Sequence, residues 1–207
     1  MVRRLFSPLG FFAINILLIA LVTVLAPLER TLGANIRLVY FHGAWVWTGM
    51  TAFGAAALAG LGGLILRRWK KLPWAGRLPA WALALGRVGL MIWITYLPMS
   101  LAVMWINWNG FFLDEPRFQV GLTFGIVGLL LQAGFFLLNQ PDVVCAGSLV
   151  YGVALWVSLI KVNTVLHPAS PIFTSDSLRI QIFFVALLVL LLLFGWQIVH
   201  WLVRKIK

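Results

Sequence analysis

The stretch IQIFFVALLVLLLLFGWQIVHWLV, residues 180–203, runs for 24 positions without an Asp, Glu, Lys or Arg. A helix needs about 20 apolar residues to cross a hydrocarbon core of roughly 30 Å, so this run is long enough to span a membrane. Five more stretches read the same way, at about 9–26, 41–66, 80–104, 119–138 and 143–160. The 207 residues are 62% hydrophobic and only 10% charged, with a mean hydropathy of +1.01, too little polar surface to clothe a soluble domain. The first run follows Arg3 and Arg4, as the core of a signal peptide would. It is long for that role, and apolar sequence resumes soon after it, so it reads as a retained anchor.

The charges between these runs set an orientation. Arg3, Arg4, Arg67, Arg68, Lys70, Lys71, Arg77, Arg204, Lys205 and Lys207 fall on one side, ten basic residues in all. The other side carries five, Arg30, Arg37, Arg117, Lys161 and Arg179, together with Glu29, Asp114, Glu115 and Asp176. The positive-inside rule then puts both termini in the cytoplasm. The expected fold is an all-α, six-transmembrane-helix bundle, one integral domain over 1–207, multi-pass in the inner (cytoplasmic) membrane. The basic, Trp-bearing loop RRWKKLPWAGRLP (67–79) reads as an anchor to anionic membrane lipid. NQPD (139–142) reads as a tight connection on the same side.

Several chemistries are absent from the sequence. Cys145 is the only cysteine, so no intrachain disulfide and no CxxCH haem attachment can form. There is no P-loop, GxSxG or HExxH, and no basic-aromatic motif for nucleic acid.

Polar and planar groups gather on the outward side. His42 lies twenty-five positions before Arg67, about 37 Å along a helix, which sets it at the outer boundary where the second span begins. His167 lies in VNTVLHPASPIF (162–173), where Pro168 and Pro171 interrupt any plain helix. WNGFFLDEPRF (108–118) fills the loop between the third and fourth spans. Taken singly, each has a plain reading: boundary histidines, an aromatic belt formed by Trp45, Trp47, Trp105 and Trp108, and solvated or helix-capping acids at Asp114 and Glu115. Their convergence on one face suggests a ligand that uses all of them. Haem does: its iron takes imidazole axial ligands, its porphyrin packs against aromatic rings, and its propionates pair with arginine.

The same residues resemble a known family, the haem exporter protein C family of cytochrome c maturation. Its tryptophan-rich motif, written WGxWWxWDxR, aligns without gaps over Trp108 to Arg117. Phe111 and Phe112 stand at its Trp pair, Glu115 at its Asp and Arg117 at its Arg, while Asp114 replaces a Trp and Asn109 its Gly. YFHGAWVWTGM (40–50) is similar to the family's (Y/F)xHVPxAW segment, with Gly43 and Ala44 where Val-Pro is usual. VNTVLHPASPI (162–172) is similar to its WWNTLHQP segment.

The resemblance implies haem b as a transiently bound cargo, with His42 and His167 as axial ligands. It implies a porphyrin packed by Trp105, Trp108, Phe111 and Phe112, with Arg117 as propionate partner and Asp114 and Glu115 either orienting it or touching a partner. Arg37 and Arg179 are weaker propionate candidates. The implied partners are a periplasmic haem chaperone, an ABC-type ATPase with its membrane subunit, and a small single-span subunit. The chain itself would be a delivery subunit and not an enzyme.

Two other readings stand beside this one. A membrane b-type cytochrome would bury histidine pairs within its spans, where His200 is the one candidate. A transporter or channel without metal chemistry would give Arg87, inside the third span, a role.

Overall fold

The computed structural model describes residues 7–66, 72–163, 165, 172–173 and 175–206. Six helices follow one another: α1 (Pro8–Val24), α2 (Ile36–Leu66), α3 (Leu78–Trp108), α4 (Pro116–Leu138), α5 (Pro141–Lys161) and α6 (Leu178–Lys205). A short 3-10 helix, Pro73–Arg77, leads into α3. Proline and asparagine punctuate the chain. Pro8, Pro116 and Pro141 open α1, α4 and α5, where a missing N–H is no loss. The Ser7 hydroxyl caps α1 by accepting from the Gly10 amide at 3.0 Å. Asn109 and Asn139 close α3 and α4 in the left-handed conformation, at φ 54° and 46°. Their amides donate to the carbonyls of Trp105 and Phe135.

The protein is thus an all-α, multi-span membrane protein. Among the described residues, five helices are long and apolar enough to cross a bilayer, and α1, with 17 residues, is shorter. Leu9, Leu17, Leu130, Phe136 and Leu137 on α1 and α4 are between 67% and 78% exposed, a surface that lipid solvates and water does not. The apolar runs located all six helices but undershot two of them. α2 begins five residues before the expected 41, and α3 runs four past the expected 104. Each has 31 residues, about 46 Å of helix, so both project beyond the hydrocarbon that hydropathy detects.

α2 lies at the centre, packed most extensively on α3 and α5 and also on α6. Small residues bring α2 and α5 together: Gly60 and Gly63 lie against Cys145, and a side chain at Gly152 would meet the Phe53 carbonyl at 2.7 Å. Aromatic donors tie neighbouring helices through backbone carbonyls. The Trp45 indole donates to Ile92 at 3.0 Å, Trp156 to Met50 at 3.0 Å and Trp93 to Gly121 at 2.9 Å. The Tyr151 hydroxyl donates to Phe124 at 2.7 Å. Trp45, read from the sequence as part of an aromatic belt, is therefore also a strut between α2 and α3.

The antiparallel order gathers the α1–α2, α3–α4 and α5–α6 connections at one end of the bundle. At the opposite end, Trp81 stacks on Trp196, which stacks on His200, and His200 Nε2 sits 2.8 Å from the Arg204 guanidinium.

Candidate functional site

At the end with three connections, the bundle opens into a cavity of about 350 Å³, within the range typical of small-molecule sites. Its walls are helical stripes. Ile36, Tyr40, Gly43, Trp47 and Met50 follow along α2 at steps of three and four, and Trp93, Tyr96, Ser100, Met104 and Trp108 do the same along α3. Glu115, Arg117 and Phe118 close one side from the start of α4. Phe173, Ile180 and Phe184 close another from the approach to α6 and its first turns. Pro98 lies between Tyr96 and Ser100, where its missing N–H leaves the Ile94 carbonyl without its helical donor.

The cavity is graded in polarity. His42 lies on its wall in the second turn of α2, half-buried, its ring 5.4 Å from that of Tyr96. Met50 is eight residues deeper on the same helix, about 12 Å, and forms an apolar floor with Trp93 and Leu159. The rim is polar. Ser100 lies within hydrogen-bonding reach of Tyr96, and the charges of Arg117 and Glu115 both act on the Tyr96 hydroxyl. Glu115 is 8% exposed, and its Oε1 accepts from the Val165 amide at 3.2 Å. That bond fastens the α5–α6 connection to the start of α4.

Across the rim, Glu29 accepts the amides of Leu32 (2.9 Å) and Thr31 (2.8 Å) through Oε2. Those bonds, the Leu32 amide foremost, hold its carboxyl below the ordinary glutamate range. The turn they stabilise closes with the Gly33 amide on the Glu29 carbonyl, and Gly33 has a φ of 55°.

Of the residues singled out in the sequence, His42, Trp47, Trp108, Glu115 and Arg117 line this cavity. Trp105 and Phe111 stack on each other at 5.2 Å, and both are exposed outside the lining; Phe112 and Asp114 are exposed there too. Arg179 is exposed, and neither it nor Arg37 lines the cavity. His167 lies outside the described residues. Among the described residues, no three His, Cys, Asp or Glu side chains cluster as a metal site would require. Among the described residues, His42 is the one imidazole that lines this largely apolar chamber.

Sequence reasoning passed over Tyr40, Trp93, Tyr96, Ser100 and Met104. The available signal was their three- and four-residue spacing, which continues from His42 and Trp108 along their own helices. No family model matches this chain, and no curated protein and no solved structure matches it either.

Proposed function

We propose that this protein holds haem b as cargo at the outer face of the cytoplasmic membrane and hands it to a periplasmic haem chaperone. The observation that carries the reading is the placement of His42 on the wall of a chamber with an apolar floor and an Arg117–Glu115 rim. Haem is amphipathic in the same sense. Its vinyl edge suits Met50, Trp93 and Leu159, its iron takes the His42 imidazole, and its propionate edge suits Arg117. In this reading His167, on the connection that Glu115 tethers, supplies the second axial ligand. Trp108 packs on the porphyrin from the rim, while the exposed Trp105–Phe111 pair offers an aromatic surface to the receiving chaperone.

The resemblance noted in the sequence supports the same assignment and implies an ATP-binding cassette complex as its partner. The orientation with both termini cytoplasmic rests on the distribution of basic residues. The chain acts by binding and release. Neutral imidazole is the form that ligates iron, so acid opposes capture.

The test is a visible spectrum of the detergent-purified protein, oxidised and reduced, before and after adding haem. A Soret band that His42→Ala and His167→Ala each abolish supports the assignment. A band indifferent to both would move the haem elsewhere, and no band with added haem would remove haem from the account.

A further inference from the structure

One buried group on the cavity wall has no part in the scheme above. Tyr40 is 1% exposed and lines the cavity, yet its hydroxyl has no hydrogen-bond partner among the described residues. Its ring leans on Phe183 at 5.3 Å, a contact that phenylalanine would make equally well. A buried hydroxyl left unsatisfied is destabilising, so the packing alone gives no reason for the oxygen.

The surroundings specify the missing partner. Arg37, one turn earlier on α2, also has a buried Nε without a partner, so two unused donors stand at i and i+3 of one helix. Glu29, across the rim, does not supply that partner: its Oε2 is already engaged by the Thr31 and Leu32 amides. Of the two, Tyr40 lines the cavity, and with no acceptor for it among the described residues its hydroxyl calls for an anionic acceptor on the ligand. Tyr40 lies two residues, about 3 Å, above His42 along α2, on the side away from the apolar floor. That is the level of the ligand's polar edge.

Resting on the haem reading above, we infer that the Tyr40 hydroxyl donates a hydrogen bond to one carboxylate of the porphyrin, with Arg117 serving the other. The cavity then selects porphyrins that carry two free carboxylates. Tyr40 is a specificity residue for the cargo's edge and takes no part in iron ligation.

The experiment compares Tyr40→Phe with the wild-type protein in detergent by haem titration and by thermal melting without haem. Tyr40→Phe is expected to bind haem roughly tenfold more weakly, with an unchanged Soret position. Without haem it is expected to melt at the same or a higher temperature, because an unsatisfied hydroxyl has been removed. The dimethyl ester of haem is expected to bind both proteins weakly and nearly equally. Equal haem affinity in the two proteins overturns the inference and leaves the haem reading standing. A lower melting temperature without haem overturns it by showing that the hydroxyl has a partner within the protein. A shifted Soret band overturns it by making Tyr40 an iron ligand, and a wild-type protein that binds no haem removes both readings together.

Discussion

The imidazole of His42 and the phenol ring of Tyr96 face each other from antiparallel helices, 5.4 Å between centroids and tilted by 40°. The contact joins the long stripes of α2 and α3 and gives the histidine a stiff neighbour. A side chain held this way loses little further freedom when it contacts a ligand. Tyr96 itself packs at 5.0 Å on Trp93, whose indole is bonded to Gly121 of α4. The cavity wall is therefore braced across three helices.

His42→Ala is expected to lower haem affinity at least tenfold, with less than a few degrees of change in melting temperature. The residue is half-buried and within a helix, where alanine is a good substitute. Added imidazole should restore the Soret band in the variant, since the space it leaves opens on the cavity. A variant that binds haem as well as the wild type does would remove His42 from the ligand set.

Glu115 offers a test that leaves both candidate iron ligands, His42 and His167, in place. Its buried carboxylate accepts from the Val165 amide, and that connection carries His167. Glu115→Ala leaves the amide without its acceptor and is expected to cost about 1–3 kcal/mol of stability, together with a several-fold loss of haem affinity. Glu115→Gln keeps an oxygen acceptor and should recover most of both. Equal behaviour of the two variants in melting and titration would mean that the tether does no such positioning.

Much of this architecture could be read from the residues. Each of the six apolar runs became a helix, and His42, Trp108, Glu115 and Arg117 meet at one chamber as their shared side of the bundle implied. The ends of α2 and α3 were not legible, because a helix continues past the hydrocarbon wherever the next residues still tolerate it. Nor was the separation of Trp105 and Phe111 from Trp108 legible. A loop motif gives an order of residues, but the left-handed turn at Asn109 decides which rings turn inward. Tyr40, Tyr96 and Ser100 were hidden for another reason. On an apolar helix, a lining residue and a packing residue have the same spacing, and only the neighbouring helix tells them apart.

Glu29 gives a pH signature that is independent of haem. Its folded-state pKa is depressed, so its contribution to stability is complete above the ordinary glutamate value of about 4.3 and is lost as pH falls through the lower folded value. Without haem, the wild-type protein should melt above Glu29→Gln by a constant margin from pH 7 to pH 5. The margin should narrow below about pH 4.3 and vanish in stronger acid. A margin that widened with acidification would show that the carboxylate is not held by the Leu32 and Thr31 amides.

The packing of α2 on α5 predicts opposite signs for one chemical change. A Cβ at Gly152 would lie 2.7 Å from the Phe53 carbonyl and 2.8 Å from the Ala57 side chain, contacts with atoms that the α2 backbone holds in place. Gly152→Ala must push the helices apart, at an expected loss of about 1–3 kcal/mol in denaturant titration. Gly134, in the interior of α4, has nothing among the described residues within 4 Å of the same position. Gly134→Ala should instead gain about 0.5–1 kcal/mol, because alanine loses less backbone freedom on entering a helix. The pair also separates packing from function. α2 carries His42 and α5 carries Leu159 of the cavity floor, so parting them widens the chamber. Haem affinity should therefore fall in Gly152→Ala and hold in Gly134→Ala, and equal affinities would detach the chamber from this helix crossing.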